Sequence, residues 1–486
     1  MSARHPGCRA ALAAAAVLAA APLLAQPDRS RPPKPGPVRA LKLPPVERLA
    51  LSNGVGVLLV GIHEVPVVEV ILVVRAGATA DPAGRDGVAA MTADMLDEGA
   101  GGKDALALAD AIDFLGATIG AGASWDASTV RLRVPVARLD EALALMADVA
   151  LRPDFPEAEL RRLRKEALTD LLQARDVPGA IASRALAQAV FGPGHRYGKP
   201  QAGDAAQIAS FTVAELRSFH AARYTPGASS LVVVGDVTAA VLPTLEKAFG
   251  SWEASSAAPA PPVVPAPRQL TSRSVWLVDK KDAAQSSLRL GRVGPSWPDP
   301  AYATNQVMNT LLGGSFTSRL NDNLREQHGY AYGARSGFRR NLSGGLLSVT
   351  TDVQTDKTGP AVGEVFKELE RILLPASPEE VERARNYAAL GYAGEFETTS
   401  QVAERIVDKF VYGLPDGFYE AFVPQALATD AAALQKAARA TIDPKRLALV
   451  VVGDRAKVEA PLRALNLGEV KNLSVDDVMG KAPTIE

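Results

Sequence analysis

The seven residues Ser230-Leu231-Val232-Val233-Val234-Gly235-Asp236 recur as Ala448-Leu449-Val450-Val451-Val452-Gly453-Asp454, an offset of 454 − 236 = 218 positions. Self-similarity at a fixed offset constrains a fold strongly, because each copy must build the same supersecondary unit. Two further landmarks keep the same order. Phe155-Pro156-Glu157 matches Ser377-Pro378-Glu379, and Val190-Phe191-Gly192 matches Val411-Tyr412-Gly413 at 411 − 190 = 221. The 486 residues exceed what one hydrophobic core usually serves, which agrees with two related halves.

Each half carries apolar, β-branched strand candidates, Val67 to Val74 and Ser287 to Leu290, and closes on a valine strand ending in Gly-Asp. Helical spacing of apolar residues precedes that last strand, over Thr212 to Tyr224 and Thr429 to Ile442. Strands and helices are interspersed without strict alternation, so the expected class is α+β. Ala254 to Pro267 is too rich in proline for a helix and reads as an extended linker. The expected division is a half at 46–253, a linker at 254–272, a half at 273–470 and a tail at 471–486.

The first 45 residues differ from the rest. Arg4, His5 and Arg9 precede an apolar run, Ala10 to Ala21, and Pro22-Leu23-Leu24-Ala25 offers a small residue for cleavage. This is the layout of a secretory signal peptide over residues 1–25, and the run is short of the ~20 apolar residues that span a bilayer. Export to the periplasm with cleavage near Ala25 follows, leaving no membrane anchor. Gln26 to Pro45 reads as an extended tether. The single cysteine, Cys8, precedes the apolar run, so the mature chain has no disulfide, thiolate ligand or cysteine nucleophile. With 47% hydrophobic and 22% charged residues and a net charge of −1, the chain is globular and has no excess of positive charge for nucleic acid.

The segment Gly87-Val88-Ala89-Ala90-Met91-Thr92-Ala93-Asp94-Met95-Leu96-Asp97-Glu98-Gly99 resembles the metal-binding helix of the inverted zincins, the insulinase, pitrilysin and mitochondrial processing-peptidase family. Those peptidases place His-x-x-Glu-His between a Gly-x-Ala lead-in and a Met-Leu-x-x-Gly exit, with two imidazoles on one helix face for zinc and the glutamate as general base. Here the three positions hold Ala90, Ala93 and Asp94. The family's third ligand, a glutamate about 76 residues after the second histidine, falls on Asp170, since 170 − 94 = 76. Neither His63 nor His195 lies at ligand spacing from these positions. The resemblance therefore implies a degenerate site with no metal of its own. The family's substrate-pairing edge strand reads Gly120-Ala121-Gly122-Ala123-Ser124, which offers backbone but no gripping side chains.

The second half keeps a second family signature. Leu312-Gly313-Gly314-Ser315-Phe316-Thr317-Ser318-Arg319-Leu320 leads into Leu324-Arg325-Glu326-Gln327-His328-Gly329-Tyr330-Ala331-Tyr332. Its arginine and tyrosine, seven apart as Arg325 and Tyr332 are, stabilise the substrate carbonyl across the cavity from zinc. His328 reads as a surface or packing residue.

The resemblance spans most of Leu51 to Gly468. It implies two homologous α/β-sandwich half-domains, each an antiparallel-rich sheet packed with helices, forming a clam-shell of LuxS/metallohydrolase-like type. It further implies a non-catalytic subunit of the bacterial two-subunit kind, silent alone. Such a subunit pairs as a heterodimer with a zinc-bearing homologue and lends Arg325 and Tyr332 in trans to a composite site that hydrolyses peptides in a shared cavity. The alternative is a purely structural or peptide-holding subunit.

Overall fold

The computed structural model describes residues 36, 38–253 and 263–485. The chain divides into two units, Met1–Arg39 and Ala40–Glu486. Of the first, only Gly36, Val38 and Arg39 are described, so the expected signal peptide, Cys8 and most of the expected tether lie outside the described residues. The second unit contains everything below. Among the described residues no helix is long and apolar enough to cross a membrane.

Two six-stranded sheets form the scaffold, each drawn from one half of the sequence. The first contains β1 (Glu47–Ala50), β2 (Gly56–Gly61), β3 (Val67–Val74), β4 (Thr118–Ala123), β5 (Ser128–Pro135) and β6 (Ser229–Gly235), in the order β1-β2-β6-β3-β5-β4. The second contains β7 (Ser274–Asp279), β8 (Gln285–Gly294), β9 (Ala331–Asn341), β10 (Gly344–Gln354), β11 (Ala448–Gly453) and β12 (Val470–Leu473), in the order β12-β7-β11-β8-β10-β9. Five strands correspond one to one. In each sheet the repeated valine strand, β6 or β11, lies parallel to the first strand of the repeat and antiparallel to the second. The α+β class and the doubled architecture expected from the sequence are therefore what the chain adopts.

The helices used below are α1 (Val88–Asp94), α2 (Glu157–Ala174), α3 (Pro178–Phe191), α4 (Pro378–Gly391), α5 (Thr399–Tyr412) and α6 (Val475–Met479). Helix α3 belongs by sequence to the first half but packs on the second sheet. Its Ile181, Ala182, Ala185, Leu186 and Val190 share a core with Val450 and Val452 of β11. Helix α5 does the reverse, placing Val402, Ala403, Ile406 and Val407 against Ile71 and Val73 of β3 and Val232 and Val234 of β6. The alternate residues of β3 and β6, among them Val70, Leu72, Leu231 and Val233, enter the first half's own core. Covered on both faces, the central strands need apolar residues at every position, and the valine runs supply them. Gly192 and Gly413, after α3 and α5, take positive φ of 80° and 63°, as suits a residue that ends a helix.

Two segments are more tightly held than the sequence implied. Linker residue Pro265 accepts a hydrogen bond from His195 Nε2 at 2.8 Å, and Gln269 donates to the Val293 carbonyl at 2.6 Å. Residues 471–485, expected as a tail, contain most of β12, which pairs in parallel with β7, and all of α6. The tail then returns to the first half, where Gln188 donates to the Val478 carbonyl at 2.9 Å and Arg175 pairs with Asp476.

Candidate functional site: a degenerate zinc helix and an arginine–tyrosine pair

Helix α1 is anchored at its start. Gly87 has φ of 100°, and a Cβ there would lie 2.2 Å from the Ala202 carbonyl oxygen, so only glycine fits. The Asp81 carboxylate accepts the Gly87 and Ala89 backbone N–H groups, each at 2.7 Å, and is held in turn by Arg196 at 2.7 Å. Burial raises the Asp81 pKa, while those donors oppose the shift. The start of α1 is therefore fixed in place. Ala90 is half-buried, Ala93 is fully buried, and Asp94 is exposed.

Water reaches Asp94 on one side, yet its carboxyl is lifted to about 6. The first cause is the protein packed around it, followed by the charges of Asp97, Glu166 and Glu98. Glu166 comes from α2, the helix expected to carry the third ligand. Asp170, one turn further along, is exposed. Glu166 is an α2 carboxylate, not singled out in the sequence, whose charge contributes to the Asp94 shift. Arg162 pairs with Glu98, with Glu159 at 2.7 Å and with Glu166 at 3.1 Å.

Among the described residues no group of three or more His, Cys, Asp or Glu side chains is placed to hold a metal ion. His63 pairs with Asp236 at 2.7 Å. His195 is occupied on both ring nitrogens, by the Pro265 carbonyl and the Tyr197 backbone N–H. With alanine at two positions and no imidazole at hand, this donor set does not fit zinc, and no metal-dependent step is assigned to this chain.

Strand β4, expected from the resemblance as the substrate-pairing strand, is last in the order of its sheet and, among the described residues, pairs only with β5. Among the described residues, Gly120 and Gly122 have no atom within 4 Å of where a Cβ would lie, so the sheet face at these positions is open. Beyond it, Ser124 turns back to hydrogen-bond the Ala127 carbonyl.

The second signature is built with more structure. Thr310–Gly314 and Asp322–Gln327 form wide π-type turns, a geometry frequent at functional sites. A Cβ on Gly313 would lie 2.5 Å from the Ser336 backbone nitrogen, which explains one of the paired glycines. Asn321 bridges the turn to β9, accepting from Ala334 N–H at 2.8 Å and donating to the Ser315 carbonyl at 3.1 Å. Arg319 makes two parallel hydrogen bonds to Glu380 of α4, at 2.8 and 2.7 Å.

On this frame Arg325 and Tyr332 meet. The Arg325 guanidinium lies 5.3 Å from the centre of the Tyr332 ring and 4.4 Å from that of Phe316, and pairs with Glu326 at 3.4 Å. Tyr332 is 89% exposed and Phe316 63%, unusual for aromatic side chains in a protein of this size. Phe316 is the member that sequence reasoning missed, although it sits inside the quoted motif. Arg325 and Tyr332 have no hydrogen bond or ion pair to Asp94, Glu166 or Asp170 among the described residues, so the two motifs remain separate clusters. His328 stacks on Tyr330 with ring centres 4.9 Å apart, in keeping with a packing role.

Comparison with known proteins fits this geometry. Residues 57–199 match the sequence profile of insulinase (peptidase family M16), and residues 210–387 match that of the peptidase M16 inactive domain. The chain belongs to peptidase family M16. It is similar to an uncharacterized zinc protease, YmxG, of Bacillus subtilis, with 27% identity over 63% of this chain and 73% of the relative. It is also similar to an uncharacterized zinc protease of Rickettsia bellii, with 26% identity over 69% of this chain and 80% of that one. Among solved structures, a peptidase M16 inactive domain from Pseudomonas fluorescens superposes with TM-score 0.78 and 26% identity, covering 84% of this chain and 98% of that one. A protease from Helicobacter pylori, at TM-score 0.76 and 19% identity over 84% of this chain and all of its own length, shares the fold. Ala90, Ala93 and Asp94, the positions that the sequence resemblance aligns with His-x-x-Glu-His, lie within the matched residues 57–199.

Proposed function

We propose that this M16 chain is the zinc-less subunit of a heterodimeric metallopeptidase. It pairs in the periplasm with a zinc-bearing homologue and supplies Arg325 and Tyr332 to a composite site for peptide hydrolysis. The observation that carries the reading is the contrast between the two motifs. The metal positions have lost their ligands, while Arg325 and Tyr332 are held together on a braced, exposed frame. A guanidinium and a phenol aimed at a carbonyl oxygen stabilise charge that develops in the transition state. Relatives named zinc proteases support peptide chemistry on the partner, where the zinc would reside. The signal-like leader supports export.

A second reading, a structural or peptide-holding subunit, is favoured by the place of β4 at the end of its sheet order, where an extended peptide could pair without any catalytic contribution. Co-purification with a His-x-x-Glu-His homologue, followed by peptide hydrolysis assays, separates the two. Loss of roughly 10²- to 10³-fold in kcat for Arg325→Ala, and a smaller loss for Tyr332→Phe, is expected of the composite site. Unchanged rates in both variants would leave only the holding role.

A further inference from the structure

Phe316 sits on a loop that is pinned on both sides of it. Ser315 is buried, its hydroxyl donates to the Thr310 carbonyl at 3.1 Å, and its own carbonyl accepts from the Asn321 amide at 3.1 Å and the Ser318 backbone N–H at 3.2 Å. Ser318 is fully buried. Between these fixed points the Phe316 side chain turns outward and is 63% exposed. Among the described residues its ring meets no other aromatic ring and one cation, Arg325, at 4.4 Å from the ring centre. A ring so exposed contributes little to the core, and what it does contribute is this contact.

Arg325 is otherwise weakly held. Its ion pair with Glu326 is long, at 3.4 Å to Nε, and the two side chains are 31% and 57% exposed, so the pair does little to fix the guanidinium. Among the described residues its two terminal amino groups have no hydrogen-bond partner. A long side chain in water samples many rotamers, so its donors meet a carbonyl in one geometry only if something restrains it. Attraction to a ring face restrains a guanidinium without a carboxylate taking up its N–H groups. Arg325 has two such contacts, to Phe316 and, at 5.3 Å, to Tyr332. In the proposed site Tyr332 acts on the carbonyl directly, whereas the Phe316 ring has no donor to offer.

We infer that Phe316 is a positioning residue: its ring holds the Arg325 guanidinium in place and leaves the terminal N–H groups free for the substrate acceptor. The inference rests on the reading that Arg325 acts on a peptide carbonyl, and it adds how this chain prepares that arginine before substrate arrives. A donor fixed in advance costs no reorganisation at the moment of reaction.

Hydrolysis of an internally quenched ten-residue peptide by the complex co-purified with the His-x-x-Glu-His homologue tests it. Phe316→Ala and Phe316→Leu should each lower kcat about two- to fivefold with KM unchanged, the fold-change that corresponds to an exposed cation–π contact of about 0.5–1 kcal/mol. Leucine keeps apolar bulk and removes only the ring. Phe316→Tyr, which keeps the ring, should retain the parent's rate. Because Phe316 acts through Arg325, Phe316→Ala should cost nothing further in an Arg325→Ala background. Full activity of Phe316→Leu, a rise in KM alone, or losses that multiply in the double variant would overturn the positioning role, while an impaired Arg325→Ala leaves the composite site standing. An unimpaired Arg325→Ala would overturn both.

Discussion

Arg319 and Glu380 are the most deeply placed ion pair of the retained motif, with side chains 5% and 15% exposed. The Arg319 guanidinium, followed by smaller contributions, brings the Glu380 carboxyl down to about 2. Removing Arg319 leaves Glu380 with only the Ser377 backbone N–H at 3.0 Å and a long contact to Arg371 at 3.4 Å, so Arg319→Ala should lower unfolding stability in urea titrations, by less than the roughly 3–5 kcal/mol of a fully broken buried pair. The pair also has a pH signature. A carboxyl depressed in the folded state contributes stability that is present above its unfolded pKa and is lost as pH falls, here from about 4.5 toward 2. Glu380→Gln should flatten that part of the stability profile. Asp94 has the opposite sign. Its folded pKa, raised to about 6, means that the folded state binds a proton more tightly than the unfolded chain, so stability declines as pH rises from about 4 to 6. Asp94→Asn should raise the melting temperature at pH 7 and leave it nearly unchanged at pH 4. A higher melting temperature for the wild type at pH 7 would contradict this account. At this scale the sequence was legible where residues are neighbours on the chain. Arg325 and Tyr332 were paired by their place in a contiguous motif that resembles the family's, whereas the charge that Glu166 of α2 exerts on Asp94, 72 positions away, is visible only in the folded chain.

At the scale of elements, the central strands were the easiest to read and the helices that cover them the hardest. A valine run announces a strand with two buried faces, but the apolar stripe of α5 does not say which sheet will receive it. Intrachain periodicity would be the same had α5 packed on its own half. The structure places Ile406 on the first sheet, 3% exposed among Ile71, Val73 and Val234. Ile406→Ala should therefore destabilise by about 2–5 kcal/mol, a cost set by the cavity left between halves rather than within one. Hydrogen exchange measured on the variant should show faster opening in β3 and β6, which are distant from it in sequence. Loss of protection confined to the second half would argue against the crossed packing. The C-terminal strand and short helix were hidden for a related reason: at four residues, Val470–Leu473 is too short for periodicity to register, and it is fixed by pairing with β7.

Taken as a whole, the molecule is two copies of one unit that each lack a cover. The outer face of the first sheet is closed by α5 and that of the second by α3, so each half supplies what the other needs. Burying a side chain such as valine or isoleucine is worth about 1.5–3 kcal/mol, and several on each sheet depend on the exchanged helix. Separating residues 46–253 from 263–486 therefore strips β3 and β6 of one apolar layer and leaves the apolar face of α3 without a sheet. A contiguous exposed patch of that kind drives association. The first half expressed alone should form aggregates or an expanded state without a cooperative thermal transition, as judged by size-exclusion chromatography and calorimetry. Co-expression of the two halves as separate chains should restore a soluble one-to-one complex, and the intact chain should unfold in a single transition involving both sheets. A first half that melts cooperatively on its own, at the temperature of the intact protein, would show that the exchanged helices decorate the fold rather than complete it.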